Sequence, residues 1–355
     1  MPKTILQGTF AHKIRSLAAL LGVSASVAAR RAIGKPLVPE WTAMFEIGTL
    51  FWRHQFNHAF SMADIQAGRA YMDSCYSVLD PDLAVDVHAC EQPKGHWFIP
   101  HILQHGETML YFHGGGYAFY LEVTRHFIAM LAQRLGIRIF APDYRLTPEH
   151  PHPAQIEDGL GAYRYLVEQG HDPKRLIFCG DSAGGHLVLM LLLQLRNLNL
   201  TQPALAMGLS PWTDIGTRGK SQFGNDQYDM VQGYQTLQFA KWLKGDSGLS
   251  DTVLSPIHHD FGGLAPIYLQ AGGKEILVDM IRDFAHALKI QGANVRLDAW
   301  EHMTHEFHAY GDHLLESREA LGCIETAIAW AMQAEGGQDF SKIPQTEVNS
   351  FRAVS

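Results

Sequence analysis

From about residue 84, short apolar runs alternate with segments in which apolar residues recur every three or four positions. The apolar runs predict strands at Thr108–Phe112, Ile137–Ala141, Leu176–Cys179, Ala204–Leu209, Pro266–Ala271 and Val295–Trp300. The helical spacing predicts helices around residues 124–135, 154–169, 184–197, 276–291 and 313–333. This alternation indicates an α/β fold whose central sheet is mostly parallel and is flanked by helices on both faces.

Two regions depart from this alternation. Residues 1–80 show helical spacing instead, and residues 212–256 are polar and rich in aromatic side chains. The chain after residue 335 lacks periodicity. We therefore predict an N-terminal helical region (1–80), a main domain (81–335) interrupted by 212–256, and a C-terminal tail (336–355) lying loosely on the surface.

Composition indicates a globular protein without nucleic-acid partners. The 355 residues are 46% apolar and 18% charged, and the net charge of −8 comes without any run of Lys and Arg. A nucleic-acid-binding protein would need a concentrated basic patch, so that class is disfavoured.

Cysteine usage indicates a reducing compartment, and therefore a cytoplasmic protein. No pair shows C-x-x-C spacing, which argues against both a disulfide framework and a structural zinc site. The four cysteines are Cys75, Cys90, Cys179 and Cys323.

The segment after Lys13 and Arg15 loosely imitates a signal peptide, because an Ala- and Ser-rich apolar run follows these two charges. Arg30 and Arg31 end that run at once, which favours an amphipathic helix packed on the surface. No run of about 18 apolar residues exists, so we expect no stable insertion into a membrane.

The stretch Gly180-Asp181-Ser182-Ala183-Gly184 fits G-x-S-x-G between a predicted strand and a predicted helix. This is the setting of a nucleophile elbow, in which a serine sits on a strained turn. A plain glycine-rich turn is the alternative. A phosphate-binding loop is disfavoured because neither G-x-x-x-x-G-K-[ST] nor G-x-G-x-x-G is present.

The stretch His113-Gly114-Gly115-Gly116 follows another predicted strand. Consecutive glycines let backbone N–H groups approach a developing oxyanion without a Cβ in the way. The two motifs, each behind a strand and in this order, support one another.

A serine nucleophile needs a base, and the base needs an acid that orients it. Acidic residues follow the predicted strand Pro266–Ala271, and three histidines follow the predicted strand Val295–Trp300. Parallel strands would bring both loops to the edge that holds Ser182. The candidate bases are His302, His305 and His308. The candidate acids are Glu275 and Asp279. No H-E-x-x-H pattern or Cys/His ligand set accompanies them, so we predict no metal site.

Taken together, these motifs resemble the bacterial hormone-sensitive lipase family of α/β-hydrolases over roughly residues 80–330. The matching pieces are Phe112-His-Gly-Gly-Gly-Tyr117, Asp143-Tyr-Arg-Leu-Thr-Pro-Glu-His150, Gly180-Asp-Ser-Ala-Gly-Gly185 and Ser210-Pro-Trp-Thr-Asp214. The resemblance implies an α/β-hydrolase fold with a helical cap, formed by the N-terminal residues and the region after Ser210.

The resemblance also implies roles for individual residues. Ser182 corresponds to the nucleophile, and the amides of Gly115, Gly116 and Ala183 correspond to the oxyanion hole. His305 corresponds to the base, because His305-Glu306-Phe307 resembles the usual His-Gly-Phe.

The acid departs from the family pattern. The family usually presents Asp-Pro-Leu-Arg-Asp, whose first Asp is catalytic, whereas this chain has Glu275-Ile-Leu-Val-Asp279. The matching acid is Glu275, since a glutamate can orient an imidazole if its longer arm is accommodated. Asp279 is the alternative acid.

We therefore expect a serine carboxylesterase that acts on small-molecule esters of short to medium chain without a cofactor. An amidase, lactonase or formamidase would use the same residues. A ligand-binding pseudo-hydrolase is disfavoured, because such proteins typically lose the histidine that is present here. Dimers are common in the family, so a homodimer is an open alternative.

Overall fold

The computed structural model describes residues 4–6, 8–77, 82–104 and 106–333. Its strands are β1 (Thr4–Leu6), β2 (Cys75–Ser77), β3 (Val85–Glu91), β4 (Lys94–Pro100), β5 (Thr108–Phe112), β6 (Arg138–Pro142), β7 (Leu176–Asp181), β8 (Leu205–Leu209), β9 (Ile267–Gly272) and β10 (Val295–Trp300). Its α-helices are α1 (Phe10–Ala32), α2 (Ala43–Phe60), α3 (Ile65–Met72), α4 (Glu122–Leu135), α5 (Ala154–Glu168), α6 (Ala183–Asn197), α7 (Ser221–Gly224), α8 (Gly233–Lys244), α9 (Asp251–Leu254), α10 (Val278–Ile290) and α11 (Leu315–Gln333). The tail predicted at 336–355 lies outside the described residues.

The central sheet has eight strands in the order β10-β9-β8-β7-β5-β6-β4-β3. Neighbouring strands from β10 to β6 pair in parallel, and β4 runs antiparallel to both β6 and β3. The predicted α/β fold with a mostly parallel sheet is confirmed. The carboxyl ends of the parallel strands therefore meet along one edge, where ligand sites of such sheets form.

The six predicted strands each lie within two residues of an observed one, but the hairpin of β3 and β4 was missed. The side chains of β3 alternate between partly buried and exposed positions, because this strand lies at the edge of the sheet. A solvated edge strand shows no continuous apolar run, which is the signal that revealed the buried strands.

The hydrophobic core lies on both faces of the sheet. Successive side chains of β5 point in opposite directions, so that Leu110 and Phe112 pack on one face and Met109 and Tyr111 on the other. Helices α5, α6 and α10 cover the first face, and α4 and α11 cover the second.

Helix α1 is amphipathic with an exposed apolar side. Thr9 caps its first turn, and Ser16, Val23 and Val27 are its buried residues. Its exposed apolar residues include Phe10, Ile14, Leu17 and Leu21. None of the helices within the described residues has the length and apolar composition that crossing a membrane requires.

Helix α2 connects the N-terminal region to the segment 212–256. The ring of Phe60 lies 5.1 Å from that of Phe239 and 5.7 Å from that of Trp242, measured between centroids. Arg53 Nε donates to the backbone oxygen of Asp229 at 2.6 Å. The two regions that interrupt the alternating pattern thus pack against each other.

A buried carboxylate joins α1 to α2. Glu46 is fully buried and accepts from Arg30 and Arg31 at 2.8 Å each. We predict that Glu46→Ala lowers the free energy of unfolding by about 2 kcal/mol, because two partly buried guanidinium groups lose their partner. Urea unfolding would measure the change. The exposed Glu168→Ala is the control, and equal stability of the two variants would contradict the prediction.

Candidate active site

Ser182 occupies the turn between β7 and α6. Its backbone has φ 52° and ψ −117°, and its N–H donates to the carbonyl oxygen of Leu209 at 2.9 Å. A Cβ on Gly180 would overlap the backbone of Gly184, and one on Gly184 would overlap the carbonyl of Phe112. The glycines are therefore required by the close approach of three backbone segments, as a nucleophile elbow demands.

His305, in the loop after β10, faces this serine. Its Nε2 lies 2.9 Å from Ser182 Oγ, and its side chain is almost completely buried. Of the other candidate bases, His302 is half-buried near Glu40, with 3.7 Å between Nδ1 and Oε2. His308 packs its ring against Phe127, and burial lowers its pKa to about 3. The geometry brings only His305 of the three to Ser182.

Glu275 is the candidate acid nearest the base. Its Oε2 lies 3.8 Å from His305 Nδ1, and both side chains are buried. This separation is longer than a hydrogen bond. The same Oε2 accepts from Ser210 Oγ at 2.6 Å and from the N–H of Gly272 at 3.2 Å, so the carboxylate is held in place independently of the histidine.

Asp279 binds a different part of the chain. Its Oδ2 accepts from the backbone N–H groups of Lys220 and Ser221 at 2.8 and 2.9 Å. These bonds hold the start of α7 against α10. The structure does not bring this carboxylate to His305.

Asp229 is a buried carboxylate that the sequence reasoning missed. Its Oδ1 accepts from the N–H groups of His305 (3.2 Å) and Met230 (2.8 Å), and its Oδ2 from that of Ile276 (2.7 Å). It therefore ties the base loop to the acid loop. Burial raises its pKa to about 6, with Glu275 adding to the rise and His305 opposing it.

The glycine loop after β5 presents free N–H groups beside Ser182. Gly115 (φ 97°) and Gly116 (φ 62°) both have left-handed backbones, and a Cβ on either would overlap Phe119 or Phe239. Within the described residues, the N–H groups of Gly115, Gly116 and Ala183 donate to no protein acceptor. Ala183 also begins α6, where the helix dipole is positive.

His113 supports that loop from behind. Its ring lies between those of Tyr120 and Tyr144, with centroids 3.8 and 4.1 Å away and nearly parallel planes. Burial lowers the pKa of His113 to about 3, so the ring is neutral. Its Nδ1 lies 2.8 Å from the carbonyl oxygen of Gly114, to which it donates.

Glu306 places a second carboxyl beside the base, on its Ser182 side. Its Oε1 lies 3.5 Å from His305 Nε2, and its backbone is left-handed (φ 54°, ψ 27°). Its carboxyl lies beside that of Asp181, because a Cβ on Gly114 would meet oxygens of both groups, and Asp181 Oδ2 accepts from the N–H of Gly114 at 2.8 Å. Burial, and then the charge of Asp181, raise the pKa of Glu306 to about 8.

These carboxyl groups control the protonation of the imidazole. Burial alone would lower the pKa of His305. The surrounding carboxylates raise this pKa by more than burial lowers it, so that it lies at about 9. The groups that raise it are, in order of effect, Glu275, Glu306 and Asp229.

The residues that the sequence analysis missed differ in how clearly the sequence pointed to them. Glu306 stands directly beside the predicted base, where a charged residue replaces a small one, and this departure was a usable signal. Asp229 lies in the irregular segment 212–256, where no periodicity predicts where a side chain points. Ser210 belonged to a recognised motif without an assigned role.

Within the described residues, no cluster of three or more His, Cys, Asp or Glu side chains could hold a metal ion.

Comparison with known proteins places the chain among hydrolases. The family described as "alpha/beta hydrolase fold" matches residues 109–309. An acetyl-hydrolase of Streptomyces hygroscopicus is 36% identical over 235 residues, which is 66% of this chain and 78% of that protein. The carboxylic ester hydrolase LipN of Mycobacterium tuberculosis is 31% identical over 264 residues, or 69% of this chain and 70% of that protein.

A solved structure extends the likeness over most of the chain. The crystal structure of an esterase from the bacterial hormone-sensitive lipase family superposes with a TM-score of 0.68 at 28% sequence identity. The match covers 89% of this chain and 98% of that one.

Substitutions of Glu275 and Asp279 are expected to have different effects on activity. We expect Glu275→Ala to lower kcat by about 10³- to 10⁴-fold, as loss of the acid does in other serine hydrolases. Asp279→Ala should keep kcat within about tenfold, because its two N–H contacts resemble a helix cap worth ~1 kcal/mol. Steady-state assays with an activated ester would measure both. Equal losses would contradict the assignment of Glu275.

The raised pKa of His305 predicts an alkaline optimum. Only the unprotonated imidazole can take the serine proton, so kcat/KM should rise with pH up to about 9. Glu306→Gln removes a carboxylate that raises this pKa and should move the rising limb to lower pH. The exposed Glu301→Gln is the control. A limb that stays in place in Glu306→Gln would contradict the prediction.

Proposed function

The chain belongs to the α/β-hydrolase family and, within it, to the bacterial hormone-sensitive lipase group of esterases, and from this premise we propose that it cleaves esters through an acyl-enzyme formed on Ser182. The protein is a carboxylic-ester hydrolase. The observation that carries the proposal is the 2.9 Å separation between Ser182 Oγ and His305 Nε2 at a strained elbow.

The proposed reaction has two stages. His305 takes the proton of Ser182 as Oγ attacks the ester carbonyl, and the imidazolium then gives that proton to the leaving alcohol. Water, deprotonated by the same histidine, attacks the acyl-enzyme and releases the carboxylic acid. Glu275 supports the positive charge that His305 carries between these steps. No cofactor takes part.

Three backbone N–H groups supply the proposed oxyanion hole. The proposal is supported by Gly115 and Gly116, which line the same cavity as Ser182, and by Ala183, which follows Ser182 in the chain; within the described residues the N–H groups of all three donate to no protein acceptor. Such preorganised donors stabilise the charge on the tetrahedral intermediate without reorganising during the reaction.

We propose that the N-terminal helices and the segment 212–256 act together as a cap. Phe56 from α2 and Phe239 from α8 both line the cavity at Ser182, together with Trp212. That cavity measures about 40 Å³, which suits a small acyl or alcohol group. It supports a preference for short- to medium-chain esters, in keeping with the relative named as an acetyl-hydrolase.

A cytoplasmic location and a homodimer remain proposals. The first is supported by the cysteine content, because no disulfide forms within the described residues, as is usual in a reducing compartment. Sedimentation velocity would test the second, and a single species at the monomer mass would reject it.

Loss of the nucleophile tests the whole proposal. We expect Ser182→Ala to lower kcat by about 10⁶-fold, since removing this group from such a triad leaves only binding and the oxyanion hole. The wild-type protein should show a burst of p-nitrophenol equal to the enzyme concentration and should be labelled by an organophosphonate. Substantial turnover by Ser182→Ala, or labelling elsewhere in the chain, would reject the proposal.

An amidase or lactonase would instead favour amide or lactone substrates over the ester.

A further inference from the structure

Two cavities of very different size meet at the candidate site. The site cavity, of about 40 Å³, is lined by Ser182 and the glycine loop of residues 114–116. The inner cavity, of about 380 Å³, lies among α1, α2, α4 and the loop after β10. The larger volume falls in the range of pockets that bind small molecules, whereas the smaller one holds only a small substituent.

The inner cavity is mainly apolar and leads to the base. Leu20, Ile47, Phe51 and Phe127 are among the side chains that line it, and His305 also lines it. Ser182 lines the site cavity but not the inner one. A hydrocarbon chain of an ester bound at Ser182 would therefore fit the inner cavity chemically, provided that it could pass the wall between the two.

Glu306 forms part of that wall. It lines both cavities, and its Oε1 lies 3.5 Å from His305 Nε2. The Asp181 carboxylate is also close, because a Cβ on Gly114 would meet oxygens of both carboxyl groups. The other residues that line both cavities are Phe56, Leu121, Thr124, Asp181, Met230 and His305. Its side chain is only 25% exposed. Within this wall, the Glu306 arm lies against both His305 and Asp181, the two members of the wall that adjoin Ser182.

The fold maintains Glu306 in an unfavourable state. A left-handed backbone disfavours any residue with a Cβ, and a carboxyl beside a second buried carboxyl loses hydration. Strained or poorly compensated groups of this kind concentrate at functional sites. We therefore expect the Glu306 side chain to have a role that a smaller residue would not perform.

We propose that Glu306 is a specificity-determining residue, whose side chain closes the inner cavity to the substrate and so confines the enzyme to esters with short chains. The inference rests on Ser182 being the nucleophile. The excluded group is an unbranched apolar chain, and it belongs either to the acyl part or to the alcohol part of the ester. Shortening Glu306 joins the two cavities and admits that chain.

Two substrate series and two variants test the proposal. One series is p-nitrophenyl esters from acetate to decanoate, and the other is alkyl acetates from ethyl to decyl. Glu306→Ala removes the arm, whereas Glu306→Gln keeps its length while removing the charge. Each is assayed at the pH where its own kcat/KM is maximal, so that a changed pKa of His305 does not enter the comparison.

We expect Glu306→Ala to raise the ratio of kcat/KM for the longest over the shortest substrate by at least about tenfold in one series. Each methylene moved from water into an apolar cavity is worth roughly fourfold in affinity. The series that responds identifies the chain as acyl or alcohol. Glu306→Gln should leave both ratios within about threefold of wild type, because the amide arm is as long as the carboxylate and still closes the wall; admission of a single methylene would already change them by about fourfold.

Refilling the inner cavity provides a second readout. Ile47 lines only that cavity, so Ile47→Trp added to Glu306→Ala should reverse the gain for long chains. Unchanged ratios in Glu306→Ala, or an equal change in Glu306→Gln, would overturn the proposal. Ser182→Ala added to Glu306→Ala distinguishes failure of the proposed function from failure of this inference. Activity that survives in the double variant would reject Ser182 as the nucleophile, and it would not test the role of Glu306.

Discussion

The arrangement of the site depends on the close approach of three backbone segments beneath Ser182. The start of α6 lies against the end of β5, where a Cβ on Gly184 would overlap Phe112. The glycine loop lies against the end of β7, where one on Gly114 would overlap the Asp181 carboxylate. Because β5 and β7 are neighbours in the sheet, this contact sets the nucleophile beside the N–H donors.

From this constraint the rest of the site follows along the sheet edge. The strands β8, β9 and β10 continue the parallel order beyond β7, and the loops after them carry Ser210, Glu275 and His305. Ser210 Oγ donates to Glu275 Oε2 and lies 3.4 Å from the N–H of Glu306, so the three loops also hold one another. The sheet supplies the rigid platform that a preorganised site requires.

The electrostatic balance around His305 involves a compromise. Carboxyl groups on two sides stabilise the imidazolium that forms during the reaction, which helps the transition state. The same groups favour the protonated resting state, which cannot act as a base. Burial opposes this effect, because it lowers the pKa of His305. Backbone N–H donors to Asp229 and Asp181 supply the remaining compensation.

The sequence was informative wherever a physical requirement leaves a local trace. A buried parallel strand needs a continuous apolar run, and a crowded elbow needs glycine, so β5 to β10 and the setting of Ser182 could be read directly. The choice of Glu275 over Asp279 came only from the resemblance to the family, because the two acids lie four residues apart in the chain and no local pattern distinguishes them. Only their three-dimensional contacts separate them: one faces His305, and the other faces Ser221. The cavities could not be foreseen either, since they arise between elements distant in sequence.

Backbone strain is concentrated at the candidate site. Of the five non-glycine residues with positive φ among the described residues, Tyr117, Ser182, Ser210 and Glu306 border it, and Asn199 alone lies elsewhere. Each such residue costs on the order of 1–3 kcal/mol, and it persists only where its surroundings fix it. Here the surroundings are the buried strands, which are far more stable than the loops they carry. A substitution that relieves this strain is therefore expected to change function before it changes folding.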